Sequence, residues 1–248
     1  MSGEPGEPVV LAVDAVSRRF GRRWAVRRVS FEVRRGELVL VLGHNGAGKS
    51  TLLSLMAGLI RPTEGEITVA GRPLHGFPGR VLREQLGILR HEPFVYPELT
   101  GFENLTLMAR LYGRPADRAR VDAVLARLDL SLAAHRAART YSRGMVQRLA
   151  LGRLMLQDAA LWLLDEPTTG LDAAGRALMV SLLGEARAAG RAIACVTHDP
   201  DLLAPVATRA LTLVDGRLAA DEVTLATLPT AAPVAAPVSA APGPGGAP

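Results

Sequence analysis

Two hydrophobic periods divide the chain. From Val9 to about Leu89, apolar residues come in short runs or alternate with polar ones, the period of a strand. This pattern predicts strands at Val9–Val13, Val29–Val33, Leu38–Gly43, Glu66–Val69 and Leu86–Leu89. Pro62-Thr63-Glu64-Gly65 supplies the turn before the fourth. From about Thr100 the apolar spacing becomes three and four, the period of a helix. Thr100-Gly101-Phe102-Glu103 is a capping box at a helix start. Leu105, Met108, Leu111 and Tyr112 form its apolar stripe, and Gly113 with Pro115 ends it. Val121, Val124, Leu125 and Leu128 mark a second amphipathic helix, and a third follows Ser142. Strand and helix then alternate: Leu161–Leu164, Ala173–Ala189, Arg191–Val196 and Ala210–Val214. Alternating βα units predict an α/β fold, a mostly parallel sheet covered by helices, with an antiparallel β portion and a helical insert. The expected organisation is a single domain over 1–228, with an α/β core at about 9–94 and 158–228 and a helical subdomain at about 95–157. From Leu228 the sequence is Ala- and Pro-rich without charge, which predicts a disordered tail over 229–248.

Bulk composition narrows the class. At 48% hydrophobic and 21% charged, the 248 residues are ordinary for a soluble globular protein. No apolar run approaches the ~20 residues of a membrane helix. The opening residues are acidic and breaker-rich, unlike a signal peptide. Cys195 is the only cysteine, which excludes an intramolecular disulfide and fits a reducing compartment. Its neighbours, Ala192–Ala194 and Val196, predict a buried strand position. Net charge is +5, and eight arginines crowd residues 18–35 around Phe20, Trp24 and Phe31. Such a cluster suits nucleic acid. It better suits a solvated basic surface beside an anionic nucleotide site, which could also sit near anionic lipid headgroups, and no nucleic-acid partner is expected.

Candidate chemistry begins at Lys49, the only lysine among 29 basic residues. A chain that otherwise uses arginine keeps here a compact ammonium on a flexible stem. Gly43-His44-Asn45-Gly46-Ala47-Gly48-Lys49-Ser50 fits the phosphate-binding pattern G-x-x-x-x-G-K-[S/T], and Thr51 follows. Its glycines free backbone N–H groups to cradle phosphate oxygens. Lys49 reaches the β- and γ-phosphates, and Ser50 offers a hydroxyl to Mg²⁺. The strand before and the helix after direct a helix N-terminus at the anion. Asp165-Glu166 ends the strand Leu161–Leu164. There Asp165 can hold Mg²⁺ beside Ser50, and Glu166 can orient and deprotonate an attacking water. Ser142, with Arg143, Gly144 and Met145, opens a helix as a small polar cap, either plain capping or an anion site. His198 follows another strand end, where an imidazole can reach a γ-phosphate.

In order and spacing these motifs resemble the ATP-binding subunit of an ABC transporter, over about residues 9–225. The resemblance implies that Gly43–Thr51 is the Walker A loop, that Leu161–Glu166 is Walker B with the catalytic glutamate, and that His198 is the switch histidine. It makes Ser142-Arg143-Gly144-Met145 the signature, Gly170-Leu171-Asp172 the D-loop, and Phe20 the aromatic that stacks on adenine. It implies ATP and Mg²⁺ as cofactors, and a homodimer in which the signature of one subunit faces the ATP of the other. Transmembrane permease subunits are the implied membrane partners, with the ATPase peripheral on the cytoplasmic face of the inner membrane. Two positions depart from the family. His91 stands where glutamine is usual, either contacting Mg²⁺ and the attacking water or only packing the groove beside it. Arg143 and Met145 replace the commoner glycine and glutamine. These departures, with Pro93-Phe94-Val95-Tyr96 and the segment to Gly113, most resemble the haem-exporter subunit of cytochrome c maturation. Related drug and polysaccharide exporters share much of this pattern. A soluble iron–sulfur assembly ATPase is the expectation from another class.

Overall fold

The computed structural model describes residues 7–75, 84–90 and 92–222. His91 and the segment 229–248 lie outside the described residues. Strands β1 (Val9–Phe20), β2 (Arg23–Arg34), β4 (Glu64–Val69) and β5 (Arg72–Pro73) form an antiparallel sheet in the order β2-β1-β4-β5. Strands β3 (Leu38–Leu42), β6 (Leu86–Leu89), β7 (Leu161–Asp165), β8 (Ala192–Val196), β9 (Arg209–Val214) and β10 (Arg217–Glu222) form a second sheet, ordered β10-β9-β3-β8-β7-β6. All its pairings are parallel except β9 with β10. The helices are α1 (Lys49–Met56), α2 (Gly101–Leu111), α3 (Arg118–Arg127), α4 (Arg143–Gln157), α5 (Ala173–Ala188) and α6 (Pro200–Leu203).

The parallel strands are apolar on both faces because both are covered. Leu38, Leu40, Trp162, Leu164, Ile193 and Cys195 face a core shared with α2–α5. Val39, Val41, Leu161, Leu163, Ala194 and Val196 face a second core, made with α1 and the inner face of the antiparallel sheet. Cys195 is fully buried, as its neighbours predict.

Helix starts follow side-chain capping. Thr100 accepts from the Glu103 amide at 3.1 Å while Glu103 accepts from the Thr100 amide at 2.8 Å. Asp117, Ser142 and Asp172 cap α3, α4 and α5.

Three sequence expectations fall short. β1 runs to Phe20, not Val13, and β2 begins at Arg23, not Val29. Each strand bulges at a non-glycine residue with positive φ, Ala15 (46°) and Arg28 (44°), so the buried face changes parity midway. β10 has no counterpart in the expected elements. It returns from β9 through Asp215-Gly216, both at positive φ, a hairpin signal. The basic cluster is partly absorbed locally: Arg18 lies over Phe20 at 4.7 Å, and Arg19 and Arg27 over Trp24 at 5.4 and 5.8 Å.

Candidate functional site

The loops after β3, β7 and β8 all leave the same end of the parallel sheet, because the strands share one direction. Together with the β1–β2 turn they wall a cleft of about 760 Å³. Phe20, Asn45, Gly46, Gly48, Lys49, Ser50, Thr51, Asp165, Glu166 and His198 line it.

The loop after β3 is fixed by close backbone approach. Gly48 has φ 107°, and a Cβ there would lie 2.3 Å from the Ala25 carbonyl oxygen. A Cβ on Gly43 would lie 2.4 Å from the Leu213 oxygen. Gly48 also begins α1 with no side chain to cap it. The first-turn N–H groups have no intrahelical partner, so they remain available to an anion. Lys49 Nζ donates to the carbonyls of Gly43 at 2.6 Å and His44 at 3.1 Å. Burial pushes this ammonium's pKa down, while Glu166 and Asp165 pull it up. Gly43, His44 and Ala47 are not among the lining residues. Ala47 is buried, and the His44 ring turns outward, 2.8 Å from the Asn45 oxygen and 3.7 Å from Asp215.

Glu166 sits at φ 52°, unusual for a residue with a Cβ. Its amide donates to the Val196 carbonyl at 2.9 Å, continuing the β7–β8 pairing. The carboxylate meets the residue after β8 twice. His198 N–H donates to Oε2 at 3.2 Å, and His198 Nε2 lies 3.3 Å from Oε1. Oε1 is buried and has no hydrogen-bond donor among the described residues. Burial pushes the carboxyl pKa up, and Asp165 adds to that. The His198 amide and ring and Lys49 oppose it, and the net shift is upward. A carboxylate more basic than usual, aimed into a cleft with a lysine, suits abstraction of a proton from water.

Mg²⁺ commonly takes one or two carboxylates and completes its shell with phosphates and water. The Ser50 hydroxyl and Asp165 carboxylate border the same cleft, so the donor set fits. Among the described residues no cluster of three or more His, Cys, Asp or Glu could hold a metal unaided.

The signature residues do not line this cleft. Ser142 and Arg143 are exposed at the start of α4, and Ser142 Oγ accepts from the Met145 amide at 3.2 Å. Asp172 caps α5, accepting from Gly175 N–H at 2.8 Å, and Leu171 is buried. Within one chain these residues do not complete the nucleotide cleft.

Four lining residues escape the motif reading: Arg23, Ala25, Thr169 and Val196. Arg23 is the hairpin partner of Phe20, so recognising the β1–β2 turn would have found it. Thr169 closes a turn onto the Glu166 carbonyl at 3.2 Å. Ala25 carries no sequence signal.

The "ABC transporter" family model matches residues 26–169. The cytochrome c biogenesis ATP-binding export protein CcmA 2 of Cupriavidus metallidurans is 38% identical over 189 residues, covering 76% of this chain and 89% of that protein. The SkfA peptide export ATP-binding protein SkfE of Bacillus subtilis is 32% identical over 215 residues, 86% of this chain and 88% of that one. Several longer relatives are spanned over only 54% to 64% of their length. A dimeric, post-hydrolysis ATP-binding cassette bound to ADP and Pi superposes with a TM-score of 0.78 at 26% identity, covering 86% of this chain and 98% of that one. Among the described residues no helix is long and apolar enough to cross a membrane. The chain therefore belongs to the ABC transporter family, as an ATP-binding cassette of the ATPase type.

Proposed function

We propose that this chain hydrolyses ATP as a subunit of an ABC exporter and drives separate transmembrane permease subunits from the cytoplasmic face of the membrane. The observation that carries the hydrolytic reading is Glu166: its raised, His198-held carboxylate borders the cleft that Lys49 and Ser50 also line. Lys49 exchanges the Gly43 and His44 carbonyls for the β- and γ-phosphates. Ser50 and Asp165 hold Mg²⁺, which when bound neutralises charge developing on the phosphates. Glu166 accepts a proton from the attacking water. The His198 amide fixes the carboxylate, and its ring faces the γ-phosphate. Phe20 offers an aromatic face to the adenine. Ser142, Arg143, Gly144 and Met145 complete the site of a second copy, with Leu171 and Asp172 between the two sites. His91 substitutes for the usual glutamine as an acceptor toward water or Mg²⁺. If so, His91→Gln retains turnover, while His91→Ala loses coupling to the membrane partner.

The finer reading is a haem-exporter-like role in cytochrome c maturation. The likeness to CcmA 2 over most of both chains supports it, as do the Ser-Arg-Gly-Met signature and His91. A second reading, export of a peptide or drug, is supported by the longer alignment with SkfE. Purifying the intact membrane complex and identifying its partners separates them. Cytochrome-maturation proteins support the first, and a permease without them supports the second.

A further inference from the structure

Arg143 departs from the usual signature, and the structure shows what its stem touches. A Cβ on Gly170 would lie 2.7 Å from Arg143 Cδ, 2.9 Å from Nε and 3.0 Å from Cγ, so the end of the stem and the first guanidinium nitrogen lie directly over the Gly170 backbone. Gly170 has φ 78°, which opens this surface to the stem. The contact is reciprocal one residue on: a Cβ on Gly144 would lie 3.4 Å from both the Gly170 oxygen and Leu171 Cδ2. Gln147, one turn further along α4, donates to the Pro167 carbonyl at 3.2 Å. Arg143, Gln147, Thr169 and Glu166 thus border one chamber of about 190 Å³. Among the described residues the Arg143 guanidinium itself makes no hydrogen bond or ion pair.

We infer that Arg143 is a positioning residue: its aliphatic stem clasps Gly170 and ties the first turn of α4 to the loop that carries Glu166. The contact links two functions within one chain. α4 opens with the residues proposed to meet a partner's nucleotide, and the loop 166–171 holds the carboxylate proposed to act on the chain's own. Packed groups move together, so a shift of α4 on engaging a partner displaces Gly170 and, through the turn Thr169 N–H to Glu166 carbonyl, reaches Glu166. The stem does this work within one chain, since among the described residues the charge has no hydrogen-bond or ion-pair partner.

The inference rests on the hydrolytic reading only for its effect on turnover, and one arm of the test does not need turnover. In the nucleotide-free chain, Arg143→Ala should speed hydrogen exchange at the Thr169 and Leu171 amides by about fivefold or more. Arg143→Met, which keeps a stem and drops the charge, should restore most of the protection. Arg143 is exposed, and an unchanged thermal midpoint verifies that both variants fold. In the partner-bound complex, Arg143→Ala should lower kcat several-fold with little change in KM for ATP, and Arg143→Met should recover the greater part. Unchanged exchange in Arg143→Ala overturns the clasp. Exchange as fast in Arg143→Met as in Arg143→Ala assigns the tie to the guanidinium and overturns the stem's role. Protection restored in Arg143→Met with kcat no higher than in Arg143→Ala and KM for ATP unchanged, so that no contact with the partner's nucleotide has been lost, overturns the link to Glu166. A wild-type complex that turns over no ATP would refute the hydrolytic reading, and the exchange comparison would still decide the clasp.

Discussion

Lys49 is 6% exposed, and its ammonium sits between two loop carbonyls. A point charge with three rotatable donors can leave those carbonyls for phosphate oxygens, whereas a planar guanidinium needs a wider seat. Lys49→Ala should abolish turnover and weaken ATP binding. Lys49→Arg should also fail in turnover despite keeping its charge, and wild-type rates in that variant would refute the geometric argument. Glu166 carries the opposite tension. Its pKa is raised chiefly by burial, so the fold holds the ionised form less readily than the unfolded chain does. Stability is therefore lost as pH rises from the ordinary carboxylate range through the raised value. Glu166→Gln removes that cost and keeps an oxygen for His198 N–H. The variant should melt higher than wild type at about pH 8, with the difference closing toward about pH 4, while hydrolysis falls by roughly 10²–10⁴. A thermal midpoint series across pH checks the first claim, and a lower midpoint at neutral pH would remove it.

At the scale of elements, the start of α4 combines a cap with a contact surface. Ser142 accepts from the Met145 amide, and its loss should cost about 1 kcal/mol. Ser142→Asp should keep the cap and the thermal midpoint, yet place a carboxylate where a partner's phosphates are proposed to lie. Ser142→Ala should show the reverse, a lower midpoint with turnover partly kept. Denaturation and ATPase assays on the two variants test this, and equal turnover would mean that Ser142 only caps. The helix starts were legible because capping is written in adjacent residues, as at Thr100 and Glu103. The motifs at Lys49 and Glu166 were legible for a similar reason: strand, turn and functional side chain are contiguous. The antiparallel strands were not. Leu11 and Val13 are buried on odd numbers and Val16 on an even one, because the bulge at Ala15 shifts the register. β2 shifts the other way, from Val26 to Val29 across Arg28. An alternation rule stops at such a bulge, although the strand continues. The contact of Arg143 with Gly170 spans separate elements, so no local pattern announces it.

At the scale of the whole molecule, none of the signature residues Ser142–Met145 lines the cleft of its own chain. A head-to-tail pair of copies would bring each signature onto the other's cleft, and bound ATP would then hold the two surfaces together. Hydrolysis removes that link, so slowing it should make the closed pair visible. Glu166→Gln with Mg-ATP should elute as a dimer in size exclusion, and as a monomer once ATP is withdrawn. A monomer at every concentration, in a folded and ATP-bound variant, would count against the arrangement. A dimer alone does not show which surfaces meet, and Ser142 supplies that control. It does not line its own cleft, so adding Ser142→Asp to Glu166→Gln should leave ATP affinity of the single chain unchanged. The introduced carboxylate would face the partner's triphosphate, where like charges at close range in a desolvated interface are strongly unfavourable. The double variant should therefore bind ATP normally and yet remain monomeric. If it dimerises as readily as Glu166→Gln alone, the surfaces that meet are not the cleft of one copy and the signature of the other.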